Sequence, residues 1–226
     1  MTDRPLGASL GWLQLARRHL FRSPWYDLRQ DRLRLPDGSE SDFTFVEHPG
    51  FVSIVPLTSA GEVLLIRSYR YPVDTHVLEV PAGGLGNSGD RRADQSAAES
   101  WEDPIAGAPA LAQPQPAELR AVALRELREE TGHVAGDLEA VGSYWSAIGN
   151  SSCRAYVYLA RDVRPDGDPR LEATESIEVL PTPIEEALRM ARDGRIEDGH
   201  SALALLWCEE RLRAAAAAGP SRDDSE

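Results

Sequence analysis

Apolar and polar positions alternate through much of the first third of the chain. In YDLRQDRLRLPDGSESDFTFVEH the alternation runs on both sides of Pro36-Asp37-Gly38, which predicts a β-hairpin around that turn. FVSIVPLTSAGEVLLIRSYRY repeats the theme, with an apolar strand, a Ser-Ala-Gly turn and a β-rich run from Val63 to Ile66. HVLEVPAGG adds a short strand that ends in a glycine pair. Before all of these, SLGWLQLARRHLFR over residues 9–22 has the spacing of a short amphipathic helix or an irregular arm.

The pattern then breaks. Residues 85–116 are rich in Gly, Pro, Ala, Ser and Asp without sustained periodicity, the composition of a long surface insertion. Order resumes at Ala117–Thr131, a run of strong helix formers followed by Gly132 where a C-cap is expected. Strand signals return in LEAVGSYWSA, CRAYVYLARDV and IEVLPT, with the polar loop RPDGDPRLEATES between the last two. Residues 183–192, opening on Pro183, and 200–217 predict two closing helices. Strands before, between and after helices predict a mixed α/β sandwich rather than a regular parallel alternation. The expected organisation is an N-terminal arm and hairpin over 1–48, a main domain over 49–215 interrupted at about 85–116, and a frayed tail over 216–226.

Composition narrows the function. The chain has 226 residues with 37 acidic against 24 basic, a formal charge of −13. That balance argues against general nucleic-acid binding and against docking on anionic lipid. No apolar stretch approaches the roughly 18 residues that span a bilayer, and the N-terminus is too broken by charge for a secretory leader. Two cysteines, Cys153 and Cys208, exclude a disulfide framework and a four-cysteine zinc site, so the expected compartment is cytoplasmic. Every basic residue is arginine. Schiff-base chemistry and a phosphate-loop lysine are therefore excluded, while bidentate arginine clamping of phosphate remains open.

One segment concentrates chemistry. In Arg125-Glu126-Leu127-Arg128-Glu129-Glu130-Thr131-Gly132, helical spacing brings Glu126, Glu129 and Glu130 to one side, with Arg125 four residues before Glu129. Crowded carboxylates suit a hard divalent ion such as Mg²⁺ or Mn²⁺. Taken alone, the octapeptide also fits a solvated face laced with ion pairs.

Its surroundings favour the first alternative. The helix resembles the core of the Nudix box, G-x5-E-x7-R-E-U-x-E-E-x-G-U with U apolar. Upstream, Glu79-Val80-Pro81-Ala82-Gly83-Gly84 resembles the E-x-P-A-G element of the ADP-ribose pyrophosphatase branch, and Arg67-Ser68-Tyr69-Arg70-Tyr71-Pro72 its R-x-Y-R-x-P strand. Downstream, Glu175-Ser176-Ile177-Glu178-Val179 and Gly194-Arg195-Ile196-Glu197-Asp198 match its E-x-I-E-V and G-x-I-x-D elements. The chain departs from the pattern inside the box. From Gly83 to Arg125 is 42 positions where the pattern allows 14, an excess of 28. The glutamate expected eight positions before Arg125 is Ala117, with Glu118 one place out of register and Glu99 and Glu102 within the insertion as other carboxylates. The closing apolar position is His133.

The resemblance implies a Nudix-type α/β/α sandwich with a mixed sheet, plus an N-terminal β-strand region. It implies metal-dependent hydrolysis of ADP-ribose or a related ADP-sugar to AMP and a sugar phosphate. GDP-mannose or another nucleotide sugar is the alternative substrate, and a catalytically silent nucleotide-binding regulator the alternative class. Glu126 and Glu130 become the principal ligands of Mg²⁺ (or Mn²⁺), with Glu129, Glu175 and the Ala82 carbonyl joining them, and Arg125 steadies Glu129. Arg70, with Arg67 on the same strand, becomes the diphosphate clamp. Trp25 is placed to stack on adenine or else to pack in a core or dimer interface. A glutamate bound to metal is a poor proton acceptor, so the general base is expected in the loop Leu171–Ser176. The base of the best-matching relatives falls at Ala173, which leaves Glu172 and Glu175. N-terminal strands of this branch cross to a partner subunit, so a homodimer acting on a nucleoside diphosphate-linked small molecule is expected.

Overall fold

The computed structural model describes residues 5–86, 101, 114–172 and 174–218. The predicted insertion therefore lies largely outside the described residues, as do Ala173 and most of the predicted tail. Two compact units divide the chain. One comprises Met1–Gly50, Gly84–Gln115 and Trp145–Arg154, and the other Phe51–Gly83, Pro116–Tyr144 and Ala155–Glu226.

In the first unit a short helix α1 (Pro5–Ser9) precedes an antiparallel sheet of β1 (Leu13–Arg22), β2 (Asp27–Arg34) and β3 (Glu40–Glu47). The β2–β3 hairpin is the one predicted around Pro36-Asp37-Gly38. The Asp37 carboxylate accepts the Ser39 N–H at 2.9 Å, and Gly38 takes φ +85°, where a side chain is disfavoured. β1 corrects the helix or arm expected over 9–22. Its register with β2 slips between Gln14 and Ala16 and again between His19 and Phe21. Each bulge inserts a residue and reverses the in–out alternation, so a true strand loses the period of two that would betray it. The guanidiniums of Arg18 and Arg32 both lie over the ring of Trp101, inside the predicted insertion, at 4.4 and 4.3 Å from its centre.

The second unit carries the main sheet. Its strands are β4 (Phe51–Thr58), β5 (Glu62–Arg70), β6 (Thr75–Glu79), β7 (Ala82–Gly84), β8 (His133–Val134), β9 (Asp137–Trp145), β10 (Arg154–Pro165) and β11 (Ile177–Pro183). The order β11-β5-β4-β10-β8 is mixed: β4 and β10 run parallel, while β4–β5, β5–β11 and β10–β8 are antiparallel. Helices α2 (Pro116–Thr131), α3 (Ile184–Asp193) and α4 (Gly199–Ala218) complete the unit. Successive strand residues point to opposite faces. Val55, Leu57, Val63, Leu65, Val157 and Leu159 form one core with Leu188 of α3 and Leu205 and Leu212 of α4. The alternate positions Val52, Ile54, Leu64 and Ile66 are equally buried, and α2 packs on β4. Helices on both faces of a mixed sheet make the α/β/α sandwich that the sequence predicts. Among the described residues no helix is long and apolar enough to cross a membrane.

Candidate active site

The site is built on α2. Leu119, Ala123 and Leu127 are buried at helical spacing and seat the helix. The same stripe continues into Glu130, which is 4% exposed, a carboxylate where the period calls for an apolar residue. Glu130 Oε2 accepts the Ala82 N–H at 2.9 Å. That donor is neutral, and no ion pair with Glu130 forms among the described residues. Burial, with repulsion from Glu126 and Glu175, pushes its carboxyl up to about 8 against the bond from Ala82 and the charge of Arg70. One turn earlier, burial and the charge of Glu129 push Glu126 up to about 7 despite Arg125.

Arg125 spans two of these carboxylates, donating from Nη2 to Glu126 Oε1 and from Nη1 to Glu129 Oε2, both at 2.6 Å. Its predicted pairing with Glu129 is present, and it orients Glu126 as well. Gly83 lies directly against the Glu126 carboxyl group, where any Cβ would overlap it. A buried acid with no ion pair among the described residues, a second acid packed on bare backbone and a third within the same helical turn fit a divalent cation. Glu126, Glu129, Glu130 and Glu175 are all-oxygen donors of the kind Mg²⁺ takes. Glu118 does not join them. It sits in the first turn of α2, eight residues and so about 12 Å along the axis from Glu126. Glu99 and Glu102 lie outside the described residues.

On β5 the two predicted arginines part company. Register pairs Ile66 with Glu79 and Arg70 with Thr75, so Arg70 and Glu79 share a face of the β5–β6 hairpin. Arg70 donates from Nε and Nη2 to the Glu79 carboxylate at about 3 Å, and its Nη1 bonds no described residue. Glu79 is 8% exposed; burial raises its carboxyl in spite of Arg70. Arg67 has the opposite parity and faces its cross-strand neighbour Glu178 on β11 at 2.6 Å, away from Arg70. In the loop before β11, Glu175 Oε2 accepts the Glu172 N–H at 2.7 Å, and the Glu175 N–H returns to the Glu172 carbonyl at 3.0 Å. The charge of Glu175 acts on both Glu126 and Glu130, whereas the Glu172 side chain is exposed.

Trp25 belongs to the first unit. It is 63% exposed, which excludes a place in the monomer core, and it does not line that unit's open cavity. That cavity is walled instead by Trp12, Phe43, Phe45 and Trp145 with Gln14 and Ile148, residues the sequence reading passed over. Another acidic group in this unit, His19, Asp27 and Glu47, brings ligand atoms within 4.8 Å of one another. Cations already hold it. Arg29 donates to Glu47 at 2.8 Å and Arg22 meets His19 Nδ1 at 2.9 Å. Burial opposes ionisation of Glu47, yet His19 and Arg29 bring it down to about 2.

Comparison with known proteins places the chain in a family. The sequence profile of the nucleoside diphosphate sugar hydrolase N-terminal domain matches residues 12–46. ADP-ribose pyrophosphatase of Bacillus subtilis (strain 168) is 27% identical over 203 residues, covering 88% of this chain and 95% of that protein. ADP-ribose pyrophosphatase of Mycobacterium tuberculosis (strain H37Rv) is 30% identical over 172 residues, 76% of this chain and 70% of that protein. Among solved structures, that of an ADP compounds hydrolase matches with a TM-score of 0.65 at 19% identity, over 90% of this chain and 95% of that one, which shows the fold. The chain belongs to the Nudix hydrolases, in their ADP-ribose pyrophosphatase-like branch.

Proposed function

We propose that this enzyme hydrolyses the diphosphate of ADP-ribose or a related ADP-sugar, giving AMP and a sugar phosphate, with Mg²⁺ or Mn²⁺ as cofactor. The observation that carries the reading is Glu130: a buried carboxylate, held by one neutral donor and crowded by Glu126 and Glu175. Such a group costs stability unless a cation joins it. Glu126, Glu129 and Glu130, with the Ala82 carbonyl, would hold the ion, which leaves Glu175 off the metal and able to accept a proton. When bound, it neutralises the diphosphate and acidifies the attacking water.

The rest is done by side chains of this chain. Arg70 is fixed on Glu79 through two nitrogens, which leaves Nη1 to donate to a diphosphate oxygen. Arg125 keeps Glu126 and Glu129 in fixed rotamers. Between the two loop carboxylates, Glu175 is the better placed to take the proton, because its charge reaches Glu126 and Glu130. Glu172 holds it there through its backbone N–H. The enzyme is further read as a cytoplasmic homodimer. Leu10, Trp12, Leu13, Phe43, Trp145 and Ile148 expose apolar surface on the first unit, which supports an interface there.

The test is product release from ADP-ribose, other ADP-sugars and GDP-mannose, each with and without Mg²⁺. AMP is expected from the ADP compounds only when Mg²⁺ is present. Equal turnover of GDP-mannose would remove the base preference, and no turnover of any compound would contradict the reading.

A further inference from the structure

The G-x-I-x-D element has no part in the chemistry described so far, yet the charge of its Asp198 reaches Arg70 and Glu79, and a serine just after it bonds the segment that carries the site. Asp198 precedes α4 as its N-cap: Asp198 Oδ2 accepts the Ser201 N–H at 2.8 Å, and the Asp198 carbonyl accepts the Ala202 N–H at 3.0 Å. Asp198 Oδ2 also accepts the Ser201 hydroxyl at 2.6 Å. With its proton committed there, Ser201 Oγ turns its lone pairs outward and accepts the Val80 N–H at 2.9 Å. Ser201 and Val80 are 2% and 1% exposed, so water cannot replace this bond.

Val80 lies in the middle of the segment that carries the site. Each of four consecutive residues is tied to a different element. The Glu79 side chain binds Arg70 of β5, and the Val80 N–H binds Ser201 of α4. The Pro81 carbonyl accepts the Ile54 N–H of β4 at 2.8 Å, and the Ala82 N–H binds Glu130 of α2. Three of these ties come from the sheet or from the acidic helix. The fourth, through Ser201, is the only one from α4 among them, and the residue it fixes stands between Glu79 and Ala82.

We propose that Ser201, oriented by Asp198, is a positioning residue of the hydrolase: it sets the backbone between Glu79 and Ala82, and so the registry of Ala82 against Glu130 and of Glu79 under Arg70. This rests on the reading of the α2 carboxylates as a divalent-ion site. Without the Ser201 hydroxyl, the Val80 N–H is buried and unpaired, and the segment must shift to satisfy it.

The test measures Mn²⁺ binding to substrate-free protein by electron paramagnetic resonance, together with kcat, KM and melting temperature. The proteins compared are wild type, Ser201→Ala, Ser201→Thr and Asp198→Asn. Ser201→Ala should weaken Mn²⁺ binding about tenfold and lower kcat by a similar factor, with far-UV spectra unchanged. Ser201→Thr restores the hydroxyl and should recover both. Asp198→Asn keeps the helix cap but accepts the hydroxyl less strongly, and should fall between them. Wild-type Mn²⁺ affinity in Ser201→Ala would overturn the proposal. So would equal losses in the Ala and Thr variants that track melting temperature, since that pattern is packing alone. Wild-type protein that binds Mn²⁺ but leaves every nucleotide sugar intact would contradict the functional reading, while the Mn²⁺ comparison would still decide the role of Ser201.

Discussion

Glu130 is buried at a cost in stability that a bound cation would offset. Spacing alone put it beside Glu126 and Glu129; its place on the buried stripe with Leu119, Ala123 and Leu127 shows only in the fold. The consequence for pH follows from the sign of its shift. Its carboxyl rises from 4.5 to about 8, so between those values the folded state binds more protons than the unfolded state. Stability is then greatest below about pH 4.5 and falls as pH rises through 8. With divalent ions removed, Glu130→Gln should melt above wild type at pH 9, by roughly 5 °C or more, and match it near pH 4.5. Parallel melting curves across that range would refute the burial cost. Turnover in the same variant should be largely lost. The loop carboxylates permit a second residue-level test, of rate against pH and Mg²⁺. Glu175→Gln should cost on the order of 10²–10⁴-fold in kcat. Glu172→Gln should stay near the wild-type rate, because Glu172 acts through its backbone N–H; the reverse ranking would make Glu172 the base. Sequence offered both glutamates but not the bond between them, which needs the turn that closes over 172–175.

At the scale of elements, both early hairpins, the acidic helix and the closing helices stand where apolar spacing and turn residues put them. The strand β1 does not, because its two bulges erase the alternation by which a strand is recognised. The Arg70–Glu79 pair was similarly hidden. Both residues lay in recognised motifs, but only the register of β5 on β6 brings them to one face, and the same register turns Arg67 away. The approach of β7 to α2 depends on Gly83. Its φ is not of the left-handed kind, so the requirement there is space rather than backbone freedom. Gly83→Ala should therefore leave the fold intact, with Glu126 displaced into another rotamer. Mg²⁺-dependent turnover should drop at least tenfold while the melting temperature moves by only a few degrees. A variant with full activity would show that Glu126 does not need its present seat.

The whole molecule is an anionic protein that handles an anionic substrate. A formal charge of −13 repels a diphosphate, and the cations that the chain itself presents at the site are arginines already engaged with Glu79, Glu126 and Glu129. A mixed α/β sandwich was legible because strands precede, separate and follow the helices, and its α/β/α layering followed from the resemblance. The membership of Trp145–Arg154 in the unit of the N-terminal sheet was not legible. That segment joins the sheet through a bridge from Val46 to Ser151, a pairing about a hundred residues apart that no local pattern encodes. Whether the carboxylates of α2 serve a divalent ion is measured most directly by AMP release from ADP-ribose across a Mg²⁺ titration in wild type and Glu126→Gln. Wild type should be inactive without Mg²⁺ and saturate as it is added. Glu126→Gln, folded by far-UV spectrum, should lose on the order of 10³-fold in rate and need more Mg²⁺ to reach what remains. A Glu126→Gln protein with the wild-type rate and the wild-type Mg²⁺ requirement would contradict that role.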